Sequence, residues 1–194
     1  MKGEINLARK ITLTGMLSAI MILINFAGLG ALQFIFARIT ILHIPVIIGS
    51  YIGGLYVGVP LGALFGLLSM YNTVSAPGVL SFCFLNPLVS IVPRILIAVS
   101  TCAVKRATQK LNTRLSITLS AAAGSATNTI FVLLALLAFY PDILASIAGN
   151  VPNALMVVIG SMFVAGGTGE AAVAVLLSNL ILKSQVKAMH TKVD

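Results

Sequence analysis

An arginine inside an apolar run is the residue of this chain best placed to do chemistry. Arg94 stands in NPLVSIVPRILIAVS, eight residues past Asn86, or about 12 Å along a helix. A charge at that depth is costly and faces a cavity or a partner. It reads as a fixed cation for an anionic group on a solute; the plainer reading pairs it with Glu170 or sends it to the interface. Pro93 beside it frees a backbone carbonyl and bends the helix. Asn128, in GSATNTIFVLL, brings two amide donors and an acceptor oxygen. These suit hydroxyls or an amide, or a bond between helices. Asn86 opens the run that holds Arg94, as a helix cap or a further polar contact. Asn72 and Ser75 fall in YNTVSAPGVLSFCFL, a polar stretch expected to be a loop able to cover a site. Glu170, in VAGGTGEAAV, is the one acid within an apolar segment. It complements Arg94, orients a solute or sits at a helix contact. Gly166, Gly167 and Gly169 beside it permit a break or a close approach. Arg38 and His43 flank an earlier loop; Arg38 could attract anions, and His43 reads as an interfacial residue rather than a ligand.

These residues do not assemble into an enzyme. His43 lies near a segment boundary and His190 in a basic tail, so neither histidine supplies a base within a span. HExxH, GxSxG and GxxxxGK[ST] are all missing from the sequence, and with them the metalloprotease, acyl-transfer and phosphate-loop readings. Cys83 and Cys102 show no metal-ligand spacing and read as packing residues rather than a disulfide. No cofactor or metal is expected. Coupling to protons or sodium usually needs several buried acids, and Glu170 alone qualifies. A secondary carrier of a small organic anion stays as an alternative.

Composition dictates the elements that must position these residues. Hydrophobic residues make up 59% of the 194 and charged residues 8%, against about a quarter charged in a soluble domain. Such a surface faces lipid, and the length suits roughly six spans of about 20 residues. The expected spans are Ile11–Ala27 (a first span rather than a cleaved signal), a second opened by His43-Ile44-Pro45, and a third, Leu61–Met70, after a turn at Pro60. A fourth follows from Asn86-Pro87 to about Ala103, then Ile117–Phe139 and about Val164–Leu182. Leu29–Leu42, Tyr71–Leu85 and Tyr140–Asn153 are expected outer loops, the first a loop or short re-entrant piece. The start of 154–182 reads as loop or interfacial. The glycines Gly49, Gly53, Gly54, Gly58, Gly62 and Gly66 of spans two and three would let backbones approach closely.

The positive charges set the topology. Ten of the 12 Lys and Arg fall at the N-terminus (Lys2, Arg9, Lys10), between spans four and five (Lys105, Arg106, Lys110, Arg114) and in the tail (Lys183, Lys187, Lys192). With six spans all three places share one side, the cytoplasm by the positive-inside rule. The net charge of +8 is thus a membrane signature and not a nucleic-acid footprint. The expectation is an all-α membrane protein: one domain, residues 1–194, a bundle of six transmembrane helices with both termini cytoplasmic, multi-pass in a prokaryotic plasma membrane.

Two further features complete the reading. Gly15 and Ala19 form a small-xxx-small pair in the first span, suited to packing within the bundle or to docking on another membrane protein. The six short spans, HIPVIIGSYIGGLYVGVPLGALFGLL across spans two and three, and FLNPLVSIVPR at the fourth make the chain similar to the substrate-binding S component of energy-coupling factor (ECF) vitamin transporters. The resemblance implies a vitamin pocket open to the outside, capped by the loops between spans one and two and between spans three and four. It implies docking, through the pair at Gly15 and Ala19, on an ECF module of a transmembrane scaffold protein and two cytoplasmic ATPases, followed by toppling to release the vitamin. With no Trp and few aromatics near the loops, a stacking site for a flavin, thiamine or folate is disfavoured. FLNPLVSIVPR with ATNT resembles the pantothenate-type S components. That implies Arg94 on the carboxylate, Asn128 on the hydroxyls or amide, and Asn86 as a further contact. Biotin, riboflavin and pyridoxine are the alternatives.

Overall fold

In lipid each backbone polar group must find its partner within its own segment, which makes apolar runs helical. The computed structural model describes residues 6–28, 31–34, 37–75, 81–148, 160 and 167–190. Lys2, Pro77, Gly78, Pro152, Asn153, Gly166 and Lys192 lie outside the described residues, as does the stretch read as loop or interfacial apart from residue 160. The side chains of Arg38, Lys183, Lys187 and His190 lie outside them too.

Helix α1 spans Leu7–Phe26, and a two-stranded hairpin follows, β1 Ala31–Phe34 and β2 Ala37–Thr40. Then come α2 His43–Gly53, α3 Leu55–Ser75, a 3-10 turn Ser81–Leu85, α4 Pro87–Ser90 and α5 Val92–Ala107. Helices α6 Thr113–Phe139, α7 Pro141–Ala148 and α8 Gly169–His190 complete the described chain. Among the described residues, four helical stretches are long and apolar enough to cross a membrane: Leu7–Phe26, Leu55–Ser75, Pro87–Ala107 and Thr113–Phe139. His43–Gly53 and Gly169–Leu182 are shorter apolar helices. Helix α5 packs chiefly on α6 and α3, and α8 lies along α6. Helix α2 is buried along nearly its whole length, so the bundle closes around it. Helix α1 instead exposes Leu7, Ile11, Met16, Ile20 and Leu23, an apolar face for lipid. Cys83 and Cys102 are buried free thiols, in line with packing roles.

Several boundaries differ from expectation. The turn between the second and third spans is at Gly54, with φ 74°, where an L side chain would be strained. It is not at Pro60, which lies inside α3; there the ring removes one early helical bond and the neighbouring helices hold the rest. Helix α3 runs on to Ser75 because its polar end satisfies itself. Thr73 Oγ1 donates to the Ser69 carbonyl at 2.9 Å and Ser75 Oγ to that of Tyr71 at 3.1 Å. Asn72 and Ser75 are therefore helical and not in a loop. The segment read as loop or re-entrant holds the hairpin, with Leu32 opposite Ile39 and Gln33 opposite Arg38. Its β-branched and aromatic residues favour strands. Pro141 opens α7 inside the expected third loop, the position where its missing N–H costs least. Helix α8, Gly169–His190, continues past the expected end at Leu182; the expected start at Val164 lies outside the described residues.

Three glycines one turn apart on α3 form a trough for α5. A Cβ on Gly58 would strike Ser50 and, at 2.7 Å, Ala98. One on Gly62 would lie 2.6 Å from the Arg94 carbonyl oxygen, and one on Gly66 2.7 Å from Ile91 Cα. The glycine-rich pattern thus does what close packing in lipid requires, and it seats the Arg94 segment.

Candidate solute-binding site

The site begins with a missing hydrogen bond. In a regular helix the N–H of residue 93 would donate to the carbonyl of Val89; Pro93 has none. The chain breaks into α4 and α5 at Ile91, and Arg94 Nη1 reaches back to donate to the freed Val89 carbonyl at 2.7 Å. Arg94 is 5% exposed. Its guanidinium lies 5.4 Å from the Phe65 ring centre and 5.5 Å from that of Phe84, with Nη2 at 3.5 Å from Ser69 Oγ. Its Nε has no partner among the described residues. Two aromatic faces and one carbonyl fix the fork in place, leaving donors for an incoming anion.

The registers of the neighbouring helices bring other polar groups within one to two helical turns of it. Helices α2, α5 and α6 cross at Gly124, where a Cβ would sit 2.6 Å from Thr101 Oγ1 and 3.0 Å from Ile47 Cγ1. At the basic end, Tyr51 donates its hydroxyl to Ser116 and Lys105 donates to the Tyr51 carbonyl. So α2 runs parallel to α5 and antiparallel to α6. One turn from the crossing toward the hairpin end stand His43 on α2, Ile97 on α5 and Asn128 on α6. All three are buried, Asn128 at 6% exposure. Helix α8 lies antiparallel to α6, with Asn179 donating to Thr118 at 2.9 Å and Gly167 against Thr129. That register carries buried Glu170 alongside residues 126–128, and its carboxylate is within electrostatic reach of Arg94.

The structure therefore buries Arg94, Asn128 and Glu170 in a polar layer one to two helical turns deep inside an apolar bundle, with the Arg94 guanidinium nearest the hairpin end. Asn128 Oδ1 is without a partner among the described residues, as are Ser125 Oγ and Thr101 Oγ1. Leaving such atoms unpaired costs about 1–3 kcal/mol each, a cost that a polar solute would offset. Asn86 caps α4, its side chain accepting from Leu88 N–H at 3.0 Å. Asn72 sits about a turn beyond Ser69 and pairs amide to amide with Asn25 of α1, at 2.6 and 3.1 Å. Phe26 packs against Tyr71 beside them, the rings tilted by 56°. Asn86 is thus engaged in its own helix cap and Asn72 in the pair with Asn25. Gly15 and Ala19 are far from it, exposed on α1, and a Cβ on Gly15 would meet nothing within 4 Å.

Asn25 and the burial of His43 escaped the reading of residues alone. The buried face of α2 holds His43 and Ile47 one turn apart, but only the packing of α5 and α6 closes over it.

Comparison with known proteins places the chain beside a transporter family. The family described as ECF transporter, substrate-specific component, matches residues 9–182. A pantothenic acid transporter, PanT, of Lactococcus lactis subsp. cremoris (strain MG1363) is 30% identical over 165 residues, covering 78% of this chain and 79% of that protein.

Proposed function

Because this chain belongs to the family of ECF transporter substrate-specific components, we propose that it binds pantothenate at the polar layer and hands it to an ATP-driven module. The family is a transporter class and not an enzyme class. The observation that carries the reading is the buried Arg94 guanidinium, fixed by its own helix break with donors unspent. It would hold the carboxylate, and Asn128 the hydroxyls or amide. Glu170 balances the charge of Arg94 when the site is empty. Asn86 and Asn72 stand at the rim, where the solute enters. The name of the similar Lactococcus protein supports pantothenate over biotin, riboflavin or pyridoxine.

The four long apolar stretches and two shorter apolar helices support six spans in a cell membrane, with the basic end and both termini cytoplasmic. The solute would then enter from outside at the hairpin end. The module would comprise a transmembrane scaffold protein and two cytoplasmic ATPases. Uptake of labelled pantothenate into vesicles holding the chain with such a module tests this. Accumulation should require ATP, and uptake by the chain alone, driven by an ion gradient, would instead make it a secondary carrier.

The docking surface has its own test. Gly15 and Ala19 lie on the exposed face of α1 with open space above them, as a close helix crossing demands. Gly15→Leu should leave pantothenate affinity within about twofold while lowering module-dependent uptake at least about tenfold, a loss worth 1.4 kcal/mol. Unchanged uptake would remove this pair from the interface.

A further inference from the structure

We propose that His43 is a direct solute-binding residue that reads the hydroxyl end of the ligand, opposite the carboxylate held by Arg94. The proposal rests on the polar layer being the solute site. His43 is 1% exposed, and neither Nδ1 nor Nε2 has a partner among the described residues. A neutral imidazole carries one donor and one acceptor. A histidine serving the fold would have both engaged, since buried polar groups are normally hydrogen-bonded. Among the described residues this one has neither, and it stands one turn from the Gly124–Ile47 contact, as does Asn128, whose Oδ1 is also unpartnered.

Position determines what it could read. His43 is one turn from Ile47 on α2, and Ile47 packs at Gly124, one turn from Asn128 on α6. Arg94 is three residues beyond Ile97 toward the hairpin end, and its side chain reaches back further, to Val89. The imidazole and the guanidinium are therefore separated along the bundle by roughly one to two helical turns, on the order of 10 Å. An extended acid of that length places its carboxylate on Arg94 and its far end at His43 and Asn128. A group that must satisfy both a donor and an acceptor in a dry site is a hydroxyl or a pair of them. The ligand class is a hydroxylated aliphatic carboxylate.

The experiment titrates wild type, His43→Leu, His43→Gln and Arg94→Ala with pantothenate and with its analogue in which both hydroxyls are replaced by hydrogen. Melting of each ligand-free protein is measured beside it. His43→Leu should bind pantothenate about 10- to 100-fold more weakly and the dideoxy analogue within about threefold of wild type. His43→Gln, which keeps a donor and an acceptor, should recover part of the loss. Ligand-free His43→Leu should melt no lower than wild type, because an orphaned imidazole is removed. Equal weakening for both ligands together with a lower melting temperature would mean a structural role and overturn the proposal. So would an unchanged pantothenate affinity in His43→Leu while Arg94→Ala loses it; that outcome leaves the pantothenate reading standing. Failure of wild type to bind pantothenate would sink that reading, and this proposal with it.

Discussion

Arg94→Ala should weaken pantothenate binding by about 30- to several thousand-fold, the range of roughly 2–5 kcal/mol for truncating one partner of a buried charge pair. The size follows from the surroundings. The guanidinium is buried between Phe65 and Phe84, where a carboxylate finds little water to compete for it. Without the cation, an incoming carboxylate would find no opposite charge there and would still feel Glu170, which lies within electrostatic reach of the Arg94 position. Arg94→Lys should recover only part of the affinity. A lysine cannot bind the Val89 carbonyl and grip a carboxylate as a planar fork does. The ligand-free melting temperature must be read beside the titration, because either variant also disturbs the Val89 carbonyl that Pro93 leaves free. A variant that melts like wild type and still binds pantothenate tightly would place the carboxylate elsewhere.

The second large effect concerns the trough on α3. Gly66→Ala should destabilise the protein by about 1–3 kcal/mol, as overpacking does, and Gly66→Leu should not yield folded protein. The neighbours of the added carbon are backbone, Ile91 Cα at 2.7 Å and the Ser90 carbonyl at 2.8 Å, and backbone cannot swing aside as a flexible side chain can. Gly62→Ala, aimed at the Arg94 carbonyl, should behave similarly. Since α5 must move away, pantothenate affinity should fall with stability in both. Gly15→Ala is the control: nothing lies within 4 Å of the added carbon, and melting should not change. Thermal unfolding in detergent, with and without pantothenate, reads the three alanine variants, and the recovery of folded protein reads Gly66→Leu. Equal melting of Gly66→Ala and Gly15→Ala would contradict the close α3–α5 approach.

Much of this arrangement is visible in the residues themselves. A charge in an apolar run marks Arg94, Pro93 announces a freed carbonyl, and glycines one turn apart announce a close helix contact. All three are local statements about what one helix can do. The turn at Gly54 was hidden because Pro60, the stronger local punctuation, costs only one bond early in α3. The helical end of α3 was hidden because Thr73 and Ser75 bond back to their own helix, which polarity alone disguises as loop. The roles of Asn25 and Asn72 depend on two helices 47 residues apart meeting. The burial of His43 is likewise tertiary. Its neighbours come from α5 and α6, and nothing adjacent to it in the chain separates an interfacial histidine from one sealed in a bundle.

The free thiols fit the same picture. Cys83 is buried beside Val89 and Leu136, and burial pushes its thiol above the ordinary range. It stays protonated at neutral pH and packs as a small apolar residue.

The central claim is that the polar layer of Arg94, Asn128 and Glu170 recognises pantothenate. Its most direct test is calorimetric titration of the purified wild-type protein with pantothenate, alongside biotin, riboflavin and pyridoxine. Pantothenate should bind saturably at one site, and the other three should give no heat. Silence with pantothenate, or saturable binding of one of the others in its place, would contradict it.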